Sequence, residues 1–393
     1  MTQDQTTPPG VSLPQRLFQF LASYGLAVVI LSFLLILTLL GTLEQADYGL
    51  YVVQQKYFNA LFLVHEFMGV VPIPLPGVYL LLILLFVNLV CGALLRNLQH
   101  RRSPGMIVAH CGILFLLVSG FATFRYAIHG SLRLYEGQAS DEFESYNEWV
   151  VEIRRLEPTP SDKIWVIPTD DLETIGPFGT RTFTSSDLPF DLTLYSHQIN
   201  CMPVSGGIPP ALPPVDGVSL LPRAREKEVE ANIAGVYADL ADKQGGVTRH
   251  CVLWGLERFP YVFQCGGERW SVEMTRRKWR LPFAVRLDTF TVELYPNTTI
   301  PKVFRSDVTK FEGGAHESIP ISMNAPLRTR GYTLFQATWG PQDAPPGTPL
   351  FSGFAVVRNP ADQWPLYACI IVGAGMLLHF LQKLFGYLKR RET

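Results

Sequence analysis

The sequence has 393 residues, with 33 Lys and Arg against 34 Asp and Glu and a formal net charge of −1. A chain of this length has room for two or three domains, and its near-neutral balance argues against nucleic acid as a partner. Hydrophobic residues make up 48% of the chain, and they gather in long blocks near its two ends with a mixed polar stretch between. This distribution is typical of a membrane protein with one large soluble domain.

Residues 1–15 are polar and contain prolines, so we expect a disordered lead there. Within residues 16–125, and again within 365–393, the chain has blocks apolar enough to cross about 30 Å of hydrocarbon as helices. They cover residues 18–43, 77–95, 106–124 and 365–388. The first block is too long for a signal-peptide core and no small-residue cleavage site follows it, so we predict four spans.

Basic residues near the spans predict the orientation of the chain. They lie between the second and third spans and after the fourth, whereas the connection 44–76 carries Lys56 against three acidic residues. We therefore expect both termini to be cytoplasmic and residues 126–364 to form an extracytoplasmic domain, on the periplasmic side of the plasma (inner) membrane. The basic residues used are Arg96, Arg101, Arg102, Lys389, Arg390 and Arg391.

The connection 44–76 mixes aromatic residues with Val and Leu and ends in VPIPLPG (71–77), whose prolines stop a helix. An interfacial helix lying on the outer leaflet would place these aromatics at headgroup depth. A loop packed against the soluble domain fits the same residues.

Residues 126–364 predict a β-rich domain, sandwich-like or barrel-like. Alternating windows rich in Val, Thr, Tyr and Phe are separated by Gly, Pro, Asn and Asp. The clearest windows are 149–156, 190–199, 247–256, 269–275, 283–296, 331–340 and 352–358. A helical period is present at residues 224–240, where we expect a helix.

An internal echo predicts two related β units, 126–268 and 269–364. LPFDLTLYSHQINCMP (188–203) aligns without gaps on LPFAVRLDTFTVELYP (281–296), and PYVFQ (260–264) resembles GYTLFQ (331–336). The first unit carries an additional Pro- and Gly-rich loop at 204–217. Chance similarity between alternating strands is the alternative to a duplication.

His110 lies inside the third span, in GMIVAHCGILFLLVSG (105–120), one helical turn after Met106. An ionisable side chain within a span is a candidate functional residue, and imidazole is a common iron ligand. His379 in the fourth span is a candidate second ligand, at a depth within about 10 Å of His110 but further from the surface. A hydrogen-bonded structural role for His110, and an interfacial position for His379, are the alternatives.

Cysteine usage is sparse. Cys201, Cys251 and Cys265 lie outside the spans, an odd number that argues against a full disulfide framework, although Cys251 and Cys265 could pair. The sequence contains no C-x-x-C, so thioredoxin-like reduction is not indicated and the chain is not itself a c-type cytochrome.

Several stretches resemble the ResB/CcsB family of cytochrome c biogenesis proteins (system II). They are GTLEQADYGLYVVQQKYF (41–58), His110 with Gly112, LPFAVRLDTF (281–290) and SMNAPLRTRGYTLFQATWG (322–340), followed by a late fourth span. The resemblance implies a subunit that helps to move haem across the membrane and attach it to apocytochrome c. It also implies that His110 is an axial ligand of that haem (haem b, before attachment).

The family's partner, CcsA (ResC), carries a Trp-rich loop of the type WGxxWxWD, which WGLERFP (254–260) and WGPQD (339–343) do not match. The resemblance therefore implies one subunit of a cytochrome c synthase complex rather than a self-sufficient enzyme. The alternative function is a non-haem assembly or receptor subunit, anchored by its spans, whose β domain binds a protein.

Overall fold

A computed structural model describes residues 12–67, 70–96, 104–157, 163–206, 214–296, 298, 301–341, 345 and 348–391. Most of the predicted lead lies outside these residues, as do Arg101 and Arg102, which were used to predict the orientation. The chain divides into two compact units. The membrane unit consists of residues 1–127 and 359–393, and the β unit of residues 128–358.

Within the described residues, four helices of the membrane unit are long and apolar enough to cross a bilayer: Tyr24–Tyr48, Val78–Leu95, Pro104–Tyr126 and Trp364–Arg391. The helical elements of this unit are α1 (Leu13–Leu21), α2 (Tyr24–Tyr48), α3 (Leu50–Val53) with a π-helical turn (Gln54–Phe58), α4 (Val78–Asn88) with a π-helical continuation (Leu89–Leu95), α5 (Pro104–Tyr126) and α7 (Trp364–Arg391). The four predicted spans are confirmed as helices.

The first span begins later than predicted, at Tyr24 rather than near residue 18. Ser23 caps α2, because its Oγ accepts a hydrogen bond from the Leu26 backbone N–H at 3.1 Å. Residues Leu13–Leu21 form the separate helix α1, so the chain breaks at Ala22 and Ser23 instead of continuing one long helix.

Residues 44–76 are neither a single interfacial helix nor an irregular loop. After α3 and the π-helical turn, the chain forms a hairpin of β1 (Phe62–Phe67) and β2 (Val71–Pro76). The prolines at 72, 74 and 76 fall at alternate positions of β2. Their missing N–H groups therefore share one edge, which suits an outer edge strand.

Helices α5 and α7 pack closely through glycines. A Cβ atom built on Gly105 would lie 2.4 Å from the His379 backbone nitrogen, and one built on Gly375 would lie 2.3 Å from the Ala109 nitrogen. Gly112 is also at this contact, whereas nothing lies within 4 Å of a Cβ on Gly120. Small residues allow two helix backbones to approach in this way.

The β unit contains strands β3–β18 and the short helix α6 (Thr169–Ile175). The strands are β3 (Ile128–Tyr135), β4 (Ala139–Arg155), β5 (Trp165–Ile167), β6 (Thr180–Phe183), β7 (Phe190–Gln198), β8 (Cys201–Ser205), β9 (Val218–Pro222), β10 (Gly235–Asp242), β11 (Arg249–Trp254), β12 (Tyr261–Cys265), β13 (Glu268–Leu294), β14 (Pro301–Glu312), β15 (Ala315–Ser322), β16 (Leu327–Thr329), β17 (Tyr332–Gly340) and β18 (Phe351–Arg358). Every window predicted as β contains a strand, which confirms the β-rich class.

The prediction of a helix at residues 224–240 is wrong. This segment holds only a short 3₁₀ turn (Val229–Ala231) followed by β10, which pairs with β7 on one edge and β11 on the other. Pairing on both edges and burial of Val236, Ala238 and Leu240 outweigh the local helical period.

The described part of the β unit holds two large buried cores and a small third cluster of Cys201, Leu220 and Tyr237. The first lies between the sheet β11-β10-β7-β6 and the adjoining parts of β4, β12 and β13, around Trp270. The second lies inside the large sheet β15-β14-β13-β4-β3-β18-β17-β16. Ile321 of β15 and Leu327 of β16, at opposite ends of that order, share the second core, so the sheet curls around it.

The strand pairings on the two sides of the predicted echo resemble one another. β7 pairs with β10, β10 with β11, and β12 with the start of β13; in a similar order, the end of β13 pairs with β14, β14 with β15, and β17 with β18. The aligned residues Phe190 and Phe283, and also Leu194 and Leu287, are buried. The hairpin β8–β9 is the insertion in the first unit. A common origin of the two units stays a prediction that this order supports.

Candidate functional site

The break between α1 and α2 is held by two polar side chains of the second span. Asn88 Nδ2 donates hydrogen bonds to the carbonyls of Leu21 at 2.7 Å and Ser23 at 3.0 Å. Arg96 Nη1 donates to the carbonyl of Ala22 at 2.9 Å. Backbone carbonyls freed at a helix break need partners within a membrane, so these side chains make the break stable.

His110 lies on α5 with its proton position fixed. Its Nδ1 is 2.7 Å from the carbonyl oxygen of Met106, one turn earlier. A carbonyl only accepts hydrogen bonds, so Nδ1 carries the hydrogen. In the neutral ring, Nε2 therefore keeps a free lone pair, which is the form of imidazole that binds a metal.

A cavity of about 200 Å³ lies beside His110. Its walls come from the α1–α2 break, α2, the second span and α5. The lining residues are Ala22, Ser23, Tyr24, Ala27, Asn88, Leu89, Gly92, Ala93, Arg96, Met106 and His110. The cavity thus joins one imidazole and one guanidinium to a mainly apolar surface.

Arg96 is the cation of this cavity. Its guanidinium carbon lies 4.5 Å from the centroid of the Tyr24 ring, a distance at which a cation over an aromatic face is stabilised. A guanidinium carries five N–H donors, so the hydrogen bond to Ala22 leaves donors for an anionic group of a ligand.

The structure does not bring His379 to this cavity. The described lining residues belong to α2, the second span, α5 and the break before α2, and none belongs to α7. His379 lies opposite Gly105, about 8 Å along α5 from His110 toward the start of that helix. His379 was predicted to lie further from the membrane surface than His110. The glycine contacts fix the register of α5 against α7 and reverse this order, so that His379 lies nearer the start of α5 than His110 does. His379 as a second ligand stays a prediction.

The cysteines do not form a redox centre among the described residues. All six are free thiols. Burial raises the pKa of Cys201 to about 12, and burial together with Asp239 and Asp216 raises the pKa of Cys251 to about 12. Burial also raises the pKa of Cys265. Because the thiolate is the reactive form, these values disfavour thiol exchange, and the suggested pairing of Cys251 with Cys265 is not formed.

Sequence reasoning named His110 as a candidate but missed its neighbours Asn88 and Tyr24, and it used Arg96 only for orientation. Asn88 carried a usable signal, since an amide inside an apolar run needs a hydrogen-bond partner. Its partners are more than 60 residues away in the sequence, at the α1–α2 break. That distance is why the sequence alone did not join these residues into one site.

The fold and this site define a class: a protein with four candidate membrane spans, a large β unit, and a mainly apolar cavity among its helices that is lined by one imidazole and one guanidinium. Residues 265–349 match the ResB-like family, which confirms over this stretch the resemblance read from the sequence. The match covers LPFAVRLDTF (281–290) and SMNAPLRTRGYTLFQATWG (322–340) and leaves His110 and residues 41–58 outside. No curated protein matches the chain.

Proposed function

We propose that this chain is the ResB/CcsB-like subunit of a cytochrome c synthase complex. It helps to move haem across the membrane and to attach it to apocytochrome c, together with a CcsA-like membrane protein. The ResB-like match supports a role in cytochrome c biogenesis, and the four apolar helices support a position in the membrane.

The observation that most supports haem as the ligand is the hydrogen bond at His110 Nδ1, which leaves the Nε2 lone pair free. A porphyrin supplies the equatorial nitrogens of its iron, so the protein needs to supply only an axial ligand. His110 offers an Nε2 lone pair beside an apolar cavity. Arg96, on the wall of the same cavity, would pair with a haem propionate.

The small volume of the His110 cavity supports the proposal that a second membrane protein completes the haem site. At about 200 Å³ it is smaller than the roughly 300–1,000 Å³ of usual small-molecule pockets. His110 and Arg96 would therefore hold one edge of the haem, while a second membrane protein covers the rest. This matches the proposal of a subunit that does not act alone.

The orientation follows from charge. Basic residues follow the second span (Arg96) and end α7 (Lys389, Arg390 and Arg391). α5 begins on the same side as these two ends. Basic residues favour the cytoplasmic side of a membrane. With both termini cytoplasmic, the His110 cavity receives haem from the inside, and the β unit at the outer face meets the apocytochrome.

The test uses the full chain co-expressed with a CcsA-like partner and purified in detergent. The visible spectrum of the complex should show a Soret band that weakens at least several-fold in His110→Ala and returns with added imidazole. His316→Ala, on the exposed strand β15, is the matched control and should leave the band unchanged. A colourless wild-type complex would favour the alternative of a non-haem assembly or receptor subunit.

A further inference from the structure

A second histidine of the membrane unit is held by a buried polar cluster. Glu44, near the end of α2, lies 2.8 Å from Lys56 Nζ and accepts a hydrogen bond from the Tyr57 hydroxyl at 2.7 Å. His65 of β1 brings its Nδ1 to 2.6 Å from the Tyr57 hydroxyl and 3.1 Å from Glu44 Oε1. Tyr57 is fully buried and the His65 side chain is 12% exposed.

The contacts of this cluster fix where its protons lie. Glu44, paired with Lys56, is a carboxylate that only accepts hydrogen bonds, so the Tyr57 hydroxyl donates its single hydrogen to Glu44. His65 Nδ1 must then be the donor toward the Tyr57 oxygen and Glu44. In the neutral ring the lone pair of His65 is consequently on Nε2.

That nitrogen is available to a ligand. Among the described residues, the hydrogen bonds of His65 reach Nδ1 alone. His65 Nε2 is also absent from the buried side-chain atoms that lack a partner in this part of the chain, so it keeps accessible surface. A carboxylate that holds the other ring nitrogen is the usual support of a metal-binding imidazole.

The two histidines belong to opposite ends of the membrane unit. Tyr24, at the start of α2, lines the His110 cavity, and Glu44 is twenty residues further along the same helix. A helical rise of about 1.5 Å per residue separates them by about 30 Å, which is the thickness of the hydrocarbon region.

An apolar groove of about 450 Å³ lies between these two ends. Phe58 and Asn59, next to the cluster, line one part of it, and Phe86 and Leu116 line it on the second span and α5. Phe86 is two residues from Asn88 of the His110 cavity. A flat apolar macrocycle is the kind of ligand that such a surface shields from water.

We propose that His65 is an axial ligand for haem iron at a second haem site, which lies at the opposite end of the membrane unit from His110. The inference rests on the proposed function, because it concerns the same haem cargo. His110 takes the haem at one end and His65 Nε2 holds it at the other, where the next component receives it. Glu44 and Tyr57 are positioning residues that hold the ring with Nε2 free.

The test titrates haemin into the full-length chain in detergent micelles, with empty micelles as baseline. His110→Ala should keep a residual Soret band of protein-bound haem, and His110→Ala with His65→Ala should lose it. Added imidazole should restore the band in the double variant. His65→Gln in the His110→Ala background should lose the band as well, because its amide can donate to Glu44 and Tyr57 but offers no imidazole lone pair.

His250 gives the matched control, since its Nδ1 also pairs with a carboxylate, at 2.6 Å from Asp239 Oδ1, on an exposed strand of the β unit. His250→Ala in the His110→Ala background should keep the residual band. The inference is overturned if wild type binds haemin but His110→Ala alone falls to the level of the double variant, an outcome that leaves the proposed function standing. If wild type itself does not exceed empty micelles, the inference fails, because His65 is proposed to hold haem on this chain; the proposed function is then decided by the spectrum of the complex with the CcsA-like partner.

Discussion

Three buried or half-buried histidines of this chain differ in what holds Nδ1. A backbone carbonyl holds it in His110, and Glu44 with Tyr57 holds it in His65. In His197 of β7 no described group bonds Nδ1, although the residue is only 4% exposed. Hydrogen bonding to Nδ1 leaves a usable lone pair on Nε2, whereas burial without partners acts on stability instead.

His197 predicts a pH dependence of stability. Burial lowers its pKa from 6.5 to about 4, so between these values the unfolded chain binds a proton that the folded chain does not. The free energy of unfolding of the β unit should therefore fall as the pH drops from 6.5 toward 4, by up to about 3 kcal/mol from this residue. His197→Leu should lose this component.

Denaturant unfolding followed by tryptophan fluorescence checks it, because six of the seven Trp residues lie in the β unit. His316→Leu, at an exposed site, should keep the wild-type slope. An unchanged slope in His197→Leu would contradict the assignment.

At the scale of elements, the pattern of hydrophobic residues in the sequence predicted most of the helices and strands. The four spans and the β windows follow from runs of apolar residues and from alternation, both of which depend on neighbours in the sequence. The start of α2, the β1–β2 hairpin and β10 were not predicted. Each depends on a distant partner: Asn88 and Arg96 at the break, β2 for β1, and β7 with β11 for β10.

The contact of α5 with α7 predicts a strong difference between two glycines of one helix. Gly375→Leu should destabilise the membrane unit by about 1–3 kcal/mol or more, since its Cβ would meet the Ala109 backbone and force the helices apart. Gly373→Leu is the control, with nothing within 4 Å of its Cβ position. Thermal unfolding in detergent should show a clearly lower midpoint for Gly375→Leu alone, and equal midpoints would refute the close packing.

At the scale of the whole molecule, the first and last strands of the β unit pair with each other. Its first strand β3 pairs with its last strand β18 along their full length, from Ile128 opposite Arg358 to Tyr135 opposite Phe351. The two places where the chain enters and leaves the unit are thus adjacent, as in domains that fold independently.

We therefore expect residues 128–358 to fold when expressed without the membrane unit. The excised segment should be soluble, show a β-type circular dichroism spectrum and unfold cooperatively, because both buried cores lie entirely within it. A segment that ends at residue 350, and so lacks β18 (Phe351–Arg358), is the control and should not fold. Aggregation of the full segment 128–358 would show that the β unit needs the membrane unit.

The sequence by itself determined the four spans, the β-rich class and the family resemblance, and it indicated His110 as a candidate site residue, because hydrophobicity and residue chemistry act locally. The tertiary structure alone decided that Arg96 and Asn88 share a cavity with His110, that α7 stays apart from its walls, and that Glu44, Tyr57 and His65 form one cluster. These contacts join residues 8 to 74 positions apart. Helix packing and strand register set such distances, and neither can be read from a local pattern.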